Sequence, residues 1–164
     1  MCNDYNLVTN INFEYLLIAW LVNLMRPSFD ELKKELNMRN INLSYQRLKV
    51  LEYLTQNQCH PTVDHIFTDL HKDIPTLSKT TVYNTLRILV EVGLVRVVTI
   101  EDNETRYDII TENHGHFKCE SCGTIYNFSM DIDSLTSEDL DNFKIKDKDV
   151  YFKGLCPKCL SKYK

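Results

Sequence analysis

The chain has 164 residues with 19 Lys and Arg against 23 Asp and Glu, a net charge of −4. That length holds one ordinary domain or two small ones. The acidic balance excludes a protein that grips nucleic acid by bulk positive charge. The charge is uneven, with 10 basic against 8 acidic groups in residues 26–98 and 9 against 13 in residues 99–164. Any nucleic-acid contact therefore belongs to the first part and is local.

In chain order, Phe13 to Met25 is apolar apart from Glu14 and Asn23, too short a run to span a bilayer. No Lys or Arg precedes it and no small-residue cleavage site follows, so it is a poor signal peptide. Residues 1–25 read as an extension, either an added amphipathic helix or the product of a start placed upstream of a working Met25, the latter favoured. Ser28-Phe-Asp-Glu31 is a capping-box pattern opening a helix with Leu32 and Leu36 inward. Ser44 caps a second helix with Leu48, Leu51 and Leu54 on one face. His60-Pro61-Thr62 breaks the chain, and Thr62 starts a third helix with Ile66, Phe67 and Leu70 inward.

Ser78 caps a fourth helix that ends at Gly93. Val82, Leu86, Leu89 and Val90 form its core stripe, while Thr80, Tyr83, Asn84 and Arg87 face the other way. Those four side chains can donate to phosphates or base edges, as a recognition helix in a major groove requires. The period then becomes strand-like over Leu94–Ile100 and Thr105–Ile110, with a polar turn at Asp102-Asn103. Helices followed by a two-stranded hairpin predict a winged helix-turn-helix over residues 26–110, its wing and hinge at about 94–111.

The remainder, 111–164, reads as a small unit with strands at Phe117–Cys119 and Thr124–Phe128, a short helix over Ser134–Leu140, and a further strand within Phe143–Leu155. It carries two Cys-x-x-Cys knuckles, Cys119/Cys122 and Cys156/Cys159. Two such turns together supply four thiolates for one tetrahedral zinc ion, which would tie the start of this unit to its end. Pairing into knuckles without export signals points to cytosolic zinc rather than disulfides. Cys2 and Cys59 do not pair by pattern, and Cys59 reads as an ordinary buried thiol. His114-Gly-His116 cannot join a closed four-cysteine site and points to a second metal beside it. His65 and His71 read as surface residues.

The landmarks His60-Pro61-Thr62, Thr81-Val82-Tyr83-Asn84-Thr85-Leu86, Arg106-Tyr107-Asp108, His114-x-His116-x-x-Cys119-x-x-Cys122-Gly123 and Cys156-x-x-Cys159 stand in this order along the chain. Over roughly Leu32 to the C-terminus the sequence thereby resembles the ferric uptake regulator family of bacterial metal-dependent repressors. The resemblance implies that Cys119, Cys122, Cys156 and Cys159 hold structural Zn2+. It implies that His60, Asp108, His114 and His116 hold a regulatory Fe2+ or Mn2+ between the domains, since imidazole and carboxylate suit those weaker, exchangeable ions.

Within the family the resemblance is to the peroxide-sensing branch. Asn113 and Gly115 stand where the iron-sensing branch places the His and Asp of a third site, and no histidine follows His116. In the peroxide branch, Fe(II) and hydrogen peroxide oxidise a ligating histidine, and His60 and His114 occupy the positions expected to be modified. One departure stands out. A fifth ligand, ordinarily Asp, falls at Asn127, whose neutral amide lowers the expected affinity and peroxide reactivity. Asp131 is near in sequence as a substitute. Ser44-Tyr45 replaces a Thr-Pro, a change read as neutral.

The fold expected is α+β, a winged-helix domain followed by a small α/β dimerisation domain with a four-cysteine zinc site. The function expected is a cytoplasmic repressor, a homodimer on an inverted-repeat operator in double-stranded DNA, responding to hydrogen peroxide. The alternative is a regulator of the same family that reports iron or other divalent-metal availability. No nucleophile or phosphate loop suggests an enzyme, and neither a membrane nor a small-molecule substrate other than peroxide is expected as a partner. Two other classes share parts of this pattern. A disulfide oxidoreductase would place a single pair at a helix start after a strand, whereas Gly123 and a strand follow the first pair here. A plain zinc-ribbon interaction module would carry no exchangeable second metal.

Overall fold

The structure is a computed structural model describing residues 27–57, 59–100, 104–109 and 114–163. The expectations for residues 1–25, for the turn at Asp102-Asn103 and for Asn113 lie outside that range. The chain divides into two compact units. One holds the described residues up to Val97 with Arg106–Ile109, and the other holds Val98–Thr105 with the chain from Ile110 onward.

Helix α1 spans Phe29–Met38 because Ser28 and Glu31 close a reciprocal box. The Glu31 N–H donates to Ser28 Oγ at 3.3 Å, and the Ser28 N–H donates to Glu31 Oε2 at 2.6 Å. Helices α2 (Tyr45–Gln56), α3 (Val63–Leu70) and α4 (Lys79–Glu91) begin behind Ser44, Thr62 and Ser78. Each hydroxyl accepts the N–H three residues on, a cap worth about 1 kcal/mol. Leu32, Leu36, Leu48, Leu51, Leu54, Ile66, Val82, Leu86 and Leu89 close one core with Leu94, Val95 and Tyr107. Val90, expected in the core, is only partly buried, and Thr85 is buried instead. On α2, Val50 and Tyr53 are also buried, because that helix meets α1, α3, α4 and the strand Arg106–Ile109. The Tyr53 hydroxyl donates to Asp69 Oδ2 at 2.8 Å and ties α2 to α3. Arg39 Nη1 donates to the Val92 carbonyl and ties α1 to the end of α4. Strands β1 (Val95–Val98) and β2 (Arg106–Ile109) pair to complete the winged-helix order.

The second unit is built on β3 (His114–Cys119), flanked by β4 (Ile125–Ser129) and β5 (Tyr151–Gly154) in the order β4-β3-β5. β4 runs antiparallel to β3 and β5 parallel to it. Strand alternation puts His114, His116, Asn127, Ser129 and Tyr151 on one face, and Gly115, Phe117, Tyr126, Phe128 and Phe152 on the other. The helix expected over Ser134–Leu140 is a single 3-10 turn at Glu138–Leu140. Ser134 is taken up in a local turn, its N–H on Asp131 Oδ1 at 3.2 Å and its hydroxyl on the Asp131 carbonyl at 2.9 Å. Leu135 and Leu140 are both 43% exposed, so no buried apolar stripe offsets the cost of nucleating a longer helix. Lys148 Nζ pins this crossover by donating to the carbonyls of Ile132, Asp133 and Leu135 at 3.3, 3.0 and 2.8 Å. A last short helix, α5, spans Pro157–Leu160.

Candidate functional site

Both knuckles are held by backbone bonds before any metal is considered. The Gly123 N–H reaches the Cys119 carbonyl at 2.8 Å, and the Cys119 N–H reaches the Thr124 carbonyl at 2.9 Å. That turn needs φ of +73° at residue 123, which is why glycine stands there. Cys156 caps α5 and its carbonyl accepts the Leu160 N–H at 2.8 Å, placing Cys159 one turn along. The four Sγ atoms lie within 4.8 Å of one another, and Cys122 and Cys156 are 3.9 Å apart. A tetrahedron with Zn–S bonds of about 2.3 Å has edges of about 3.8 Å, so this cluster fits one zinc ion.

The electrostatics of the cluster are those of a cation site. The Cys156 N–H donates to Cys119 Sγ at 3.3 Å and, against the effect of burial, holds that thiol down to about 6. A hydrogen bond from the Tyr126 phenol lowers Cys156 as well, and the phenol itself is pushed up to about 12. Against a hydrogen bond with Ser121 acting downward, burial and the three neighbouring thiols raise Cys159 to about 11. Four thiolates cannot crowd together uncompensated, whereas a dication allows all four to ionise. Tyr126, and Thr124 with its Oγ1 3.3 Å from Cys122 Sγ, are supporting residues that ligand spacing alone could not reveal.

In the first unit His60 and Asp108 come together. His60 is 0% exposed and Asp108 4%, with Nε2 and Oδ1 3.8 Å apart. That gap is longer than a hydrogen bond. It is within the roughly 4.2 Å that two donors on one small divalent ion can span. The loop carrying His60 is clipped to β2, where the Tyr107 N–H donates to the Pro61 carbonyl at 3.0 Å and Arg106 Nη1 to the His60 carbonyl at 3.2 Å. These clips hold His60 at φ +51°, a left-handed conformation unfavourable for a residue with a Cβ and retained where surroundings over-determine it.

In the second unit His114 and His116 point from the same face of β3, their rings 4.8 Å apart and edge-on. His116 is 1% exposed. Asn127 stands directly across β3–β4 from His116, on the same face and exposed. Asp131 is committed to the Ser134 turn through Oδ1. Cys59 is half-buried, and His65 and His71 are exposed on or at the end of α3.

On α4, Thr80, Tyr83, Asn84 and Arg87 are all exposed along one stripe. Among the described residues, Arg87 pairs with Glu91 of its own helix at 3.4 Å. Lys79, the first residue of the same helix and four residues before Tyr83, adds a further exposed cation, paired with Asp64 at 2.7 Å. Among the described residues no helix is long and apolar enough to cross a membrane.

Residues 38–153 match the model of the ferric uptake regulator family. The peroxide-responsive repressor PerR of Staphylococcus aureus strain Mu50 is 34% identical over 131 residues, covering 77% of this chain and 88% of that protein. The Campylobacter jejuni peroxide stress regulator is 30% identical with a TM-score of 0.60, covering 81% of this chain and 99% of the other. The Helicobacter pylori ferric uptake regulator shares the fold with a TM-score of 0.65 at 20% identity, over 82% of this chain and 95% of that one. With the four-cysteine cluster, the buried histidine–aspartate pair and the winged-helix order already in place, the match over most of its length means that this chain belongs to the ferric uptake regulator family.

Proposed function

We propose that the protein is a metal-dependent transcriptional repressor that releases its operator when hydrogen peroxide oxidises a metal-ligating histidine. The observation that carries the regulatory site is the His60–Asp108 pair, an imidazole and a carboxylate buried together at a spacing suited to two donors on one ion. Burying a carboxylate is expensive unless a cation or hydrogen bonds compensate it. His114 and His116 on β3 supply two more imidazoles of the same chemistry. In this reading all four residues hold one Fe(II) or Mn(II), and Asn127 can add an amide oxygen. An Fe(II) ion bound by these residues would supply, with peroxide, the oxidising chemistry that adds oxygen to a ligand ring. The ligands come from both domains, residues 26–110 and 111–164, so an ion held by all four binds one arrangement of them better than the rest. Such binding would shift the population toward the form that fits DNA.

The relatives named peroxide-responsive repressor and peroxide stress regulator support this branch over the metal-availability alternative. The chain acts as a homodimer, whose two-fold symmetry presents two α4 helices to the half-sites of an inverted repeat. Thr80, Tyr83, Asn84 and Arg87 are the DNA-contacting residues in this reading. A four-cysteine zinc site and a DNA target support a cytoplasmic location. The peroxide chemistry is a single self-modification at His60 or His114, so the chain is assigned no catalytic turnover.

The test is peptide mass spectrometry on protein loaded anaerobically with Fe(II) and exposed to stoichiometric peroxide, beside a Mn(II) control. One added oxygen on His60 or His114 with Fe(II) only is the expected result. Unmodified histidines in iron-occupied protein would leave the metal-availability regulator as the function.

A further inference from the structure

Tyr151 occupies a position in the second unit that neither metal cluster uses. Its register on β5 sets it beside His116, with the two rings 5.8 Å apart and tilted by 36°. The residue before it accepts the His116 N–H through the Val150 carbonyl at 2.9 Å. The same tyrosine reaches the segment that follows β1. Its hydroxyl accepts the Thr99 N–H at 3.5 Å, and its ring packs against Val98, Ile100 and Ile125, which are 0%, 3% and 9% exposed. The boundary between the two compact units falls inside β1, between Val97 and Val98. The segment that Tyr151 grips is thus the continuation of the wing strand, covalently joined to the DNA-binding unit.

Filling this side of the sheet needs only an aromatic ring. A hydroxyl that accepts a backbone N–H from the far side of the cluster is an additional feature, and it connects a histidine on β3 to the chain leaving the wing.

We propose that Tyr151 is the positioning residue that transmits occupancy of the regulatory metal site from His116 to the wing through Thr99. The inference rests on the reading of His116 as a ligand of that ion. An ion that fixes the His116 ring fixes the face against which Tyr151 leans, and the hydroxyl carries that constraint to the Thr99 amide. By linkage, whatever metal gains for DNA through this route, DNA gains for metal.

The experiment compares wild type with Tyr151→Phe, which keeps the ring and removes the hydrogen bond. Three quantities are measured on the zinc-containing dimer: Mn(II) binding, hydrogen–deuterium exchange of a peptide covering Val98–Ile100, and binding of an inverted-repeat duplex selected from a random pool by the Mn(II)-loaded wild type. Tyr151→Phe is expected to bind Mn(II) and to bind the duplex without Mn(II) as wild type does. It should lose the Mn(II)-induced protection at Thr99, and the Mn(II)-induced gain in duplex affinity should fall about two- to threefold, the low end for one hydrogen bond, as its 3.5 Å length requires. A residue that merely packed would leave that gain unchanged. Full protection and full gain in Mn(II)-bound Tyr151→Phe would overturn the inference while leaving the regulatory site standing. A wild-type protein that takes up no Mn(II) would instead bring down the site reading, and this inference with it.

Discussion

Gly115 sits between the two histidines of β3, and the Phe128 ring fills the place a side chain would need, 2.3 Å from an ideal Cβ. That ring then stacks on Phe152 with centroids 4.9 Å apart and planes within 17°. The His-x-His spacing is thus tied to packing on the opposite face of the sheet, and a carboxylate at 115 would meet the same ring. Gly115→Ala is expected to push Phe128 off this position and to destabilise the protein by about 1–3 kcal/mol, the usual cost of overpacking. Urea unfolding of the zinc-loaded protein measures it. Nothing in the sequence around residue 115 announces this constraint. It arises because Phe128 lies across a strand pair, 13 positions away. His60 is similar: its place before Pro61 reads as a loop, and the bonds that clip its left-handed backbone come from Arg106 and Tyr107, far along the chain.

Helix α4 divides its work between faces. Val82, Leu86 and Leu89 are 0% exposed, while the outward stripe carries the four groups assigned to DNA. Arg87→Ala is expected to weaken binding to the selected operator by about 1–3 kcal/mol if the guanidinium reads a base edge. Zinc and Mn(II) content should be unchanged, since no residue of either cluster lies on α4. Fluorescence anisotropy at fixed salt measures the loss, and an unchanged affinity would show that another face of the helix meets DNA. The four N-caps were legible because a hydroxyl and the N–H it accepts lie three residues apart. The expected helix at Ser134 was not, because a cap-like serine specifies a helix only where an apolar face has something to cover. Leu135 and Leu140 have no such cover.

For the molecule as a whole, the zinc site joins the two ends of the second unit, β3 and β4 at one knuckle and α5 at the other. Cys119→Ser is expected to lose zinc and, with it, the dimer, because binding energy at a structural zinc site is folding energy. Metal analysis with sedimentation velocity tests this, and a zinc-free variant that remains dimeric would overturn it. By itself the sequence determined the helices, their caps, the knuckles and the order of landmarks that marks the family. These are written in spacings of two, three or four residues, which local geometry reads directly. Only the tertiary structure decided that β5 lies parallel beside β3, that His60 and Asp108, which the resemblance had already paired, are both buried, and that Tyr151 stands between His116 and Thr99. Each of those joins residues far apart in the chain, where pairing is set by competition for buried surface rather than by any local period.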